Sequence, residues 1–333
     1  MSVRESLRIA VVGAGIAGLA AASALRDAGI DVSVYDKGRG AGGRMARRRH
    51  DELQFDHGAQ YFTAREPDFE RQVVTWRTRG LVAPWNPRLA VVGSDTWEMK
   101  QNTTPRYVGT PAMNTPAKSL AEGIPLRLET KVTGLDRHDS GYTLQTESGE
   151  SVPGFNAVLL AITPEQAEPI LPSWVKFPID IREIRLDPCW AVMVAFETRP
   201  LPDFDAAFVK DSALSWISRN ASKPDRPDHE AWVLHAGPKW SRKNVEADRE
   251  WVVDDLLTEF ARVIGAPLPP NHYAQAHRWR YARARRSLDH GALWDSESMV
   301  GMCGDWANGS RVEGAYLSGR RLAGAVLGSL ETK

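Results

Sequence analysis

Cysteine is nearly missing from this chain. Its 333 residues hold only Cys189 and Cys303, far apart and without the spacing of a metal site or a CxxC pair, which excludes a disulfide framework and fits a reducing compartment. An excess of either charge is missing too. Lys plus Arg and Asp plus Glu are both 42, so nothing points to a nucleic-acid or membrane partner. There is no transmembrane-length apolar run, no internal repeat and no low-complexity tract. The stretch from Ile9 to Leu25 imitates a signal peptide, yet it carries the strand, turn and helix described next, so its removal would destroy them. The expected location is the cytoplasm. No HExxH, carboxylate pair or Ser/His/Asp arrangement is visible, and no metal is expected; for triads the absence is weak, since they assemble in space.

What is present begins at Ile9-Ala-Val-Val-Gly-Ala-Gly-Ile-Ala-Gly-Leu19, an apolar strand, a glycine turn and a helix start. Gly13 allows the tight turn, Gly15 lets a pyrophosphate approach the backbone, and Gly18 lets the helix pack on the sheet. Asp36 ends the second strand about twenty residues on, where an acid bonds a ribose diol. Together they predict a dinucleotide. A second glycine cluster, Lys37-Gly-Arg-Gly-Ala-Gly-Gly-Arg44, follows directly and ends in an arginine able to pair with the pyrophosphate from the other side. Dehydrogenases that bind only NAD do not need it. Near the other end, Ser298-Met-Val-Gly-Met-Cys303 reads as a strand into Gly304-Asp305, and Arg311 to Ala323 as a helix. Both chain ends converge on one ligand.

In these elements the chain resembles FAD enzymes of the glutathione-reductase and amine-oxidase type. The resemblance implies that Asp305 bonds the ribityl or phosphate part and that the helix after it aims its positive end at the flavin N1/O2 edge. Over nearly its whole length the chain is similar to the bacterial renalases. The likeness is carried by Asp56-His-Gly-Ala-Gln-Tyr-Phe-Thr-Ala-Arg65, Asp187-Pro-Cys-Trp-Ala191, Trp216-Ile-Ser-Arg-Asn-Ala-Ser-Lys-Pro224, Trp232-Val-Leu-His235, Trp240-Ser-Arg-Lys-Asn244 and Ala276-His-Arg-Trp-Arg-Tyr-Ala-Arg283, with the segment from Cys303 to Gly319. That family implies FAD, oxidation of the isomeric 1,2- or 1,6-dihydro forms of NAD(P) to NAD(P)+, and transfer of the electrons to O2 to give H2O2. No cysteine is placed for covalent attachment, so non-covalent FAD is expected. Implied cofactor contacts are Gly13, Gly15, Ala17, Gly18, Asp36, Lys37, Gly43, Arg44, Met45, Ala59, Gln60, Val132, Thr163, Asp305, Glu313, Gly314 and Ala315. Two other functions stay open: a flavin amine oxidase, and a non-catalytic FAD-binding redox sensor.

The expected fold class is α/β, with a discontinuous Rossmann-type FAD-binding domain over 1–68, 122–163 and 276–333. A second, α+β substrate domain with a mixed sheet is expected over 69–121 and 164–275. Alternating apolar residues and hairpin signals between Leu126 and Pro164 predict a run of strands; the resemblance to FAD folds implies that they form a β-meander over the parallel sheet and that the last strand brings Thr163 to the flavin edge. Cys189–Phe196 and Ala231–His235 read as central strands of the second sheet, and Arg249–Arg262 as an amphipathic helix. Lys223-Pro-Asp-Arg-Pro-Asp228 reads as a solvated loop.

Oxidising a dihydropyridine asks for positioning more than for acid–base help, because the ring nitrogen pushes the hydride out. Twelve tryptophans suit aromatic walls around a flat ring. No catalytic residue is assigned; Tyr61, His235, Trp279 and Tyr281 are the substrate-positioning candidates. Trp279 and Tyr281, two apart on a strand, face one side and serve either the substrate or a domain junction. His235 and His277 are either satisfied structural histidines or substrate-facing ones. Arg283, Arg285 and Arg286 form either a charged surface or a phosphate contact.

Overall fold

The computed structural model describes residues 7–93, 97–101, 103–201 and 204–331. Its first sheet forms where short apolar runs alternate with helices. Arg8–Val12 pairs in parallel with Asp31–Tyr35 on one side and Ala157–Leu160 on the other. Leu126–Arg127 and Val300–Met302 extend the parallel order outward, and Leu293–Asp295 adds an antiparallel edge. Successive strand residues point to opposite faces, so a wholly apolar strand needs cover on both. Ile9 and Val11 lie in a buried cluster with the helices Ile16–Asp27 and Val312–Glu331. Ala10 and Val12 lie in another, beneath the antiparallel meander Val132–His138, Gly141–Thr146 and Ser151–Phe155. The first and last helices touch at Gly319, where a Cβ would stand 2.0 Å from the Ala17 carbonyl oxygen. Any side chain there would separate them.

The second sheet has seven strands in the spatial order Asn271–Ala284, Leu186–Phe196, Ala231–Ala236, Leu214–Arg219, Ala206–Val209, Leu89–Val92 and Trp97–Met99. All neighbours are antiparallel except Ala206–Val209 against Leu89–Val92. Val192, Val194, Ile217, Trp232 and Leu234 point to its outer face, where Val252, Leu256 and Phe260 of the helix Arg249–Ile264 cover them. That helix starts where the Asp248 carboxylate accepts from the Glu250 and Trp251 N–H groups and stops at Gly265, whose φ of 66° suits glycine. The fold is therefore the expected α/β class, a Rossmann-type sheet joined to a mixed sheet. Residues 69–121 divide between them: Phe69, Val73, Trp76 and Ala117 pack with the first and last helices, while Leu89–Val92 and Trp97–Met99 extend the mixed sheet.

A buried charge cluster at Asp56 ties the segment after the strand Leu53–Phe55 to the loop that follows the mixed-sheet strand Leu214–Arg219. The Asp56 side chain is wholly buried, with Arg226 Nη2 at 2.7 Å and Lys223 Nζ at 3.5 Å, both equally buried. Met113 N–H donates to the other carboxylate oxygen at 3.2 Å. Asn220 completes the join, its Nδ2 donating to the Gln54 carbonyl and its Oδ1 accepting from Asp56 N–H. The loop from Lys223 to Asp228 is therefore solvated only in part: Asp225 and Asp228 are exposed as expected, but Lys223 and Arg226 turn inward because a buried carboxylate needs counter-charge. Burial alone would raise the Asp56 carboxyl, but Lys223 and Arg226 outweigh it and hold it below the usual carboxylate range. Stability from this group is present above the ordinary carboxylate pKa and is lost as pH falls through the lower folded-state value. Asp56→Ala should lower unfolding stability at pH 7 by about 3–5 kcal/mol, because it leaves two buried cations unpaired. Urea melts of the two proteins test this, and a loss under about 1 kcal/mol would mean that the cluster does not hold this join.

Candidate functional site

Two glycine turns meet in front of the parallel sheet. Gly42 N–H donates to the Ala14 carbonyl at 2.8 Å, and Gly15 bridges Gly42. Gly13, at φ 113°, would place a Cβ 2.5 Å from the Ala161 carbonyl oxygen, so this turn admits only glycine. Asp36 fixes both turns, its carboxylate accepting from Ala14 N–H and Gly38 N–H at 2.6 Å each. A carboxylate has about four lone-pair sites, so it keeps capacity for a diol. Ahead of the first helix, a Cβ on Gly15 would meet nothing within 4 Å, and the helix has neither a side-chain cap nor an acid in its first turn. Its free N–H groups and positive end are suited to a pyrophosphate.

Arg44 and Asp305, expected as separate cofactor contacts, bond each other. Arg44 Nη2 and Nη1 donate to Asp305 at 2.6 and 3.1 Å, and Nη1 also donates to the Ala282 carbonyl at 2.8 Å. The planar guanidinium matches the carboxylate and joins the two chain ends. Met45 is buried in the turn Gly43–Met45, and Ala59 N–H donates to the Arg44 carbonyl at 2.8 Å, so the segment after Asp56 lies on the Gly-Gly-Arg turn. Gln60 is engaged within the protein. Its Nε2 donates to the carbonyls of Asp56 and Gly58, while its Oε1 accepts from Ser218 Oγ at 2.6 Å and Lys223 Nζ at 3.1 Å. Both donors and both lone pairs are used, so the amide braces the segment and has nothing left for a flavin. Glu313 is also a brace: its Oε1 accepts from the N–H groups of Arg65 and Glu66 at 2.6 and 2.8 Å. Ala17, Gly18, Gly314 and Ala315 are buried in the two helix starts, and Lys37 is exposed. Val132 opens the first strand of the meander and is buried in its cluster, and Thr163 precedes the short helix Pro164–Ala167.

The mixed sheet's register builds a wall opposite these turns. His277 pairs with Ala191, Ala191 with His235, His235 with Trp216 and Trp216 with Phe208, which sets one row across five strands. Trp279 follows in the next row beside Cys189. His57 stands before this wall, its ring 4.8 Å from His277 and 5.0 Å from Trp279. Its carbonyl accepts from Trp279 Nε1 at 2.9 Å and faces His235 Nε2 at 3.1 Å. Burial pushes His57 down to about 3, helped by His277, and pushes His235 and His277 down to about 4. All three rings are neutral near pH 7. Burial likewise lowers Lys223 to about 8 against the pull of Asp56. Tyr61 lies 5.5 Å from Trp216 and 6.1 Å from Trp85, while Tyr281 is half-buried against the cluster beneath the meander. Arg285 bonds Asp187 at 2.7 Å, and Arg283 is exposed.

Sequence reasoning gave no role to Asp56, His57, Trp85, Arg106, Trp216, Lys223 or Arg226. Trp216 and Lys223 lie in a segment that carried the renalase likeness, but only strand pairing brings Trp216 level with His235. Among the described residues no cluster of His, Cys, Asp and Glu could hold a metal ion, and no helix is long and apolar enough to cross a membrane.

A glycine-built dinucleotide cradle on a parallel sheet, closed by a mixed sheet with an aromatic inner wall, defines a two-sheet flavoprotein oxidoreductase. The chain matches the NAD(P)-binding Rossmann-like domain over residues 11–74 and the flavin containing amine oxidoreductases over residues 80–327. It belongs to the flavin containing amine oxidoreductase family, and FAD is its cofactor. It is 47% identical over 64 residues to a carotenoid 3,4-desaturase of Haloarcula japonica and 38% identical over 69 residues to a 4,4'-diapophytoene desaturase of Staphylococcus aureus. These matches span 19% and 21% of this chain but only 12% and 13% of those proteins. The fold is that of a chain from Exiguobacterium sp. 255-15, provisionally designated a protoporphyrinogen oxidase, at 14% identity and TM-score 0.78 over 98% of this chain and 99% of that one. A putrescine oxidase bound to putrescine aligns at 15% identity and TM-score 0.74 over 97% of this chain and 99% of its own.

The cradle residues fit the dinucleotide half of FAD. Arg44→Ala and Asp36→Ala should each weaken FAD binding by about 1–3 kcal/mol, the first by freeing the chain ends and the second by loosening both glycine turns. Equilibrium binding of FAD to the stripped proteins, followed by flavin fluorescence, gives the values. Unchanged affinity in both variants would mean that the cradle lies elsewhere.

Proposed function

We propose that this chain is an oxidase of the isomeric dihydro forms of NAD(P), the 1,2- and 1,6-dihydro compounds, yielding NAD(P)+ and, with O2 as acceptor, H2O2. The observation that carries the reading is the electrostatics of the wall. Its aromatic rings stand beside three neutral histidines, and Asp56, the carboxylate of this group, is held by Lys223 and Arg226. An ammonium substrate would find no free counter-charge among these groups, whereas a flat neutral ring on a phosphate-bearing carrier suits them. That places amine oxidation second, and the aromatic wall makes a purely sensory FAD protein less apt. Bound FAD, held without a covalent link, would supply the hydride acceptor and pass both electrons to O2, with one proton taken from solvent.

The chain's own part is positioning. In this reading 1–68, 122–163 and 276–333 hold the cofactor, while 69–121 and 164–275 supply the substrate wall. Tyr61, His235 and Trp279 orient the ring, and Tyr281 supports the strand that carries Trp279. Cys189 and Cys303 are free thiols raised to about 12 by burial, so neither relays electrons, and a cytoplasmic setting suits them.

Anaerobic mixing with the dihydro isomers, ordinary NADH and putrescine is the direct test. The isomers should bleach the flavin, and on admission of air each should yield one NAD(P)+ and one H2O2. Bleaching by putrescine alone would replace this reading with amine oxidation. The flavin-reduction rate should also stay flat between about pH 5.5 and 7.5, because the three histidines titrate below that window and Lys223 above it. Lys223, at about 8, sets the upper limit of this range. A bell-shaped profile inside the window would instead require an essential acid and base.

A further inference from the structure

Arg106 is a buried cation without an acid among the described residues. It is 7% exposed, and among those residues the guanidinium makes one hydrogen bond, a long one of 3.5 Å from Nη1 to the Thr104 carbonyl. No ion pair reaches it among the described residues, and its buried Nε has no partner. The guanidinium lies over the Tyr61 ring, with Cζ 5.1 Å from the centroid. Tyr61 in turn contacts Trp216, itself 6% exposed, whose buried Nε1 also lacks a partner. Two donors without acceptors therefore flank one aromatic ring of the substrate wall. A cation–π contact accounts for part of the guanidinium's burial, but it leaves the N–H groups unmet, and unmet buried donors are costly.

Lys223 and Arg226 answer Asp56, so the neighbouring charges do not neutralise Arg106. The missing acceptor is an oxyanion. We propose that Arg106 is a substrate-binding residue that holds a phosphate of the ligand, with Trp216 Nε1 donating to a second oxygen acceptor on the same molecule. This rests on the dihydro-NAD(P) reading for the identity of the molecule, but not for the chemistry of the site. A guanidinium suits phosphate, and the Tyr61 face beneath it fixes the plane in which its N–H groups point.

The test uses the FAD-loaded protein as wild type, Arg106→Met and Arg106→Lys. Met matches the buried stem without a donor, so FAD content and melting temperature should be unchanged or raised. Steady-state KM for the dihydro-dinucleotide isomers should rise on the order of ten- to a hundredfold in Arg106→Met, with the limiting reduction rate within about threefold of wild type and part of the loss restored in Arg106→Lys. The corresponding dihydronicotinamide riboside, which has no phosphate, should show no change. Inorganic pyrophosphate should quench tryptophan fluorescence saturably in wild type and at least tenfold more weakly in Arg106→Met, with acetate at equal ionic strength as the screening control. An equal effect on riboside and dinucleotide, a melting temperature that falls in Arg106→Met, or pyrophosphate quenching that is absent in wild type or equal in the variants would overturn the proposal. If no dihydro isomer is oxidised but pyrophosphate binding still depends on Arg106, the oxyanion site stands and the substrate reading falls.

Discussion

The site depends on one buried charge arrangement, the Asp56 carboxylate held between Lys223 and Arg226. Burying a charge is unfavourable unless partners answer it, and here the partners come from the mixed sheet while the carboxylate comes from the segment lying on the Gly-Gly-Arg turn. The pairing therefore has geometric consequences. It fixes residues 54 to 60 against the wall, with Asn220 and Gln60 tying the backbone on either side of the carboxylate. It acts together with the bonds from Trp279 Nε1 to the His57 carbonyl, from Ser218 Oγ to Gln60 Oε1 and from Arg44 Nη1 to the Ala282 carbonyl, and the set as a whole fixes the separation of cradle and wall.

Fixed separation is what hydride transfer asks of a protein, since most of the barrier reduction in such a step comes from holding the reacting atoms close and aligned. The neutral histidines fit this. His57, His235 and His277 lose the proton they would carry when solvated, because burial penalises the charged ring, and His277 and His235 lower His57 further. Rings in that state are walls and hydrogen-bonding groups. His57 shows the arrangement most clearly: its ring contacts His277 and Trp279 while its backbone carbonyl accepts from the Trp279 indole, so ring and backbone are held by the same neighbour.

The sequence made the cofactor half legible because its determinants are local. Gly13, Gly15 and Gly18 each answer a backbone requirement within a few residues, and the apolar runs 9–12 and 157–160 announce a sheet covered on both faces. The wall was legible only in pieces. His235, Trp279 and Tyr281 could be suspected one at a time, but the row from His277 to Phe208 is created by pairings between strands distant in the chain, and no local pattern encodes them. Lys223 and Arg226 misled for a related reason. A proline-rich polar string has the composition of a solvated loop whether its cations face water or a buried carboxylate, and the carboxylate lies far upstream. Arg44 and Asp305 were each identified, but their mutual pairing was not visible, because it joins opposite ends of the chain.

The charge balance of the wall separates the functions its family could host. Family membership and a shared fold leave the substrate open, since the same two-sheet frame serves unrelated chemistries. An enzyme for a primary or secondary amine draws a cation into an apolar site, which an unpaired carboxylate, carbonyls or aromatic faces can favour. Here the local charge runs the other way: Asp56 faces two cations, and among the described residues no carboxylate pairs with Arg106. At the effective dielectric near a protein surface, two unit charges 4 Å apart interact by about 4 kcal/mol, so a local excess of positive charge disfavours an ammonium and favours a phosphate. In the proposed reading, the residues around Asp56 thus also contribute to the sign of the field that a substrate meets.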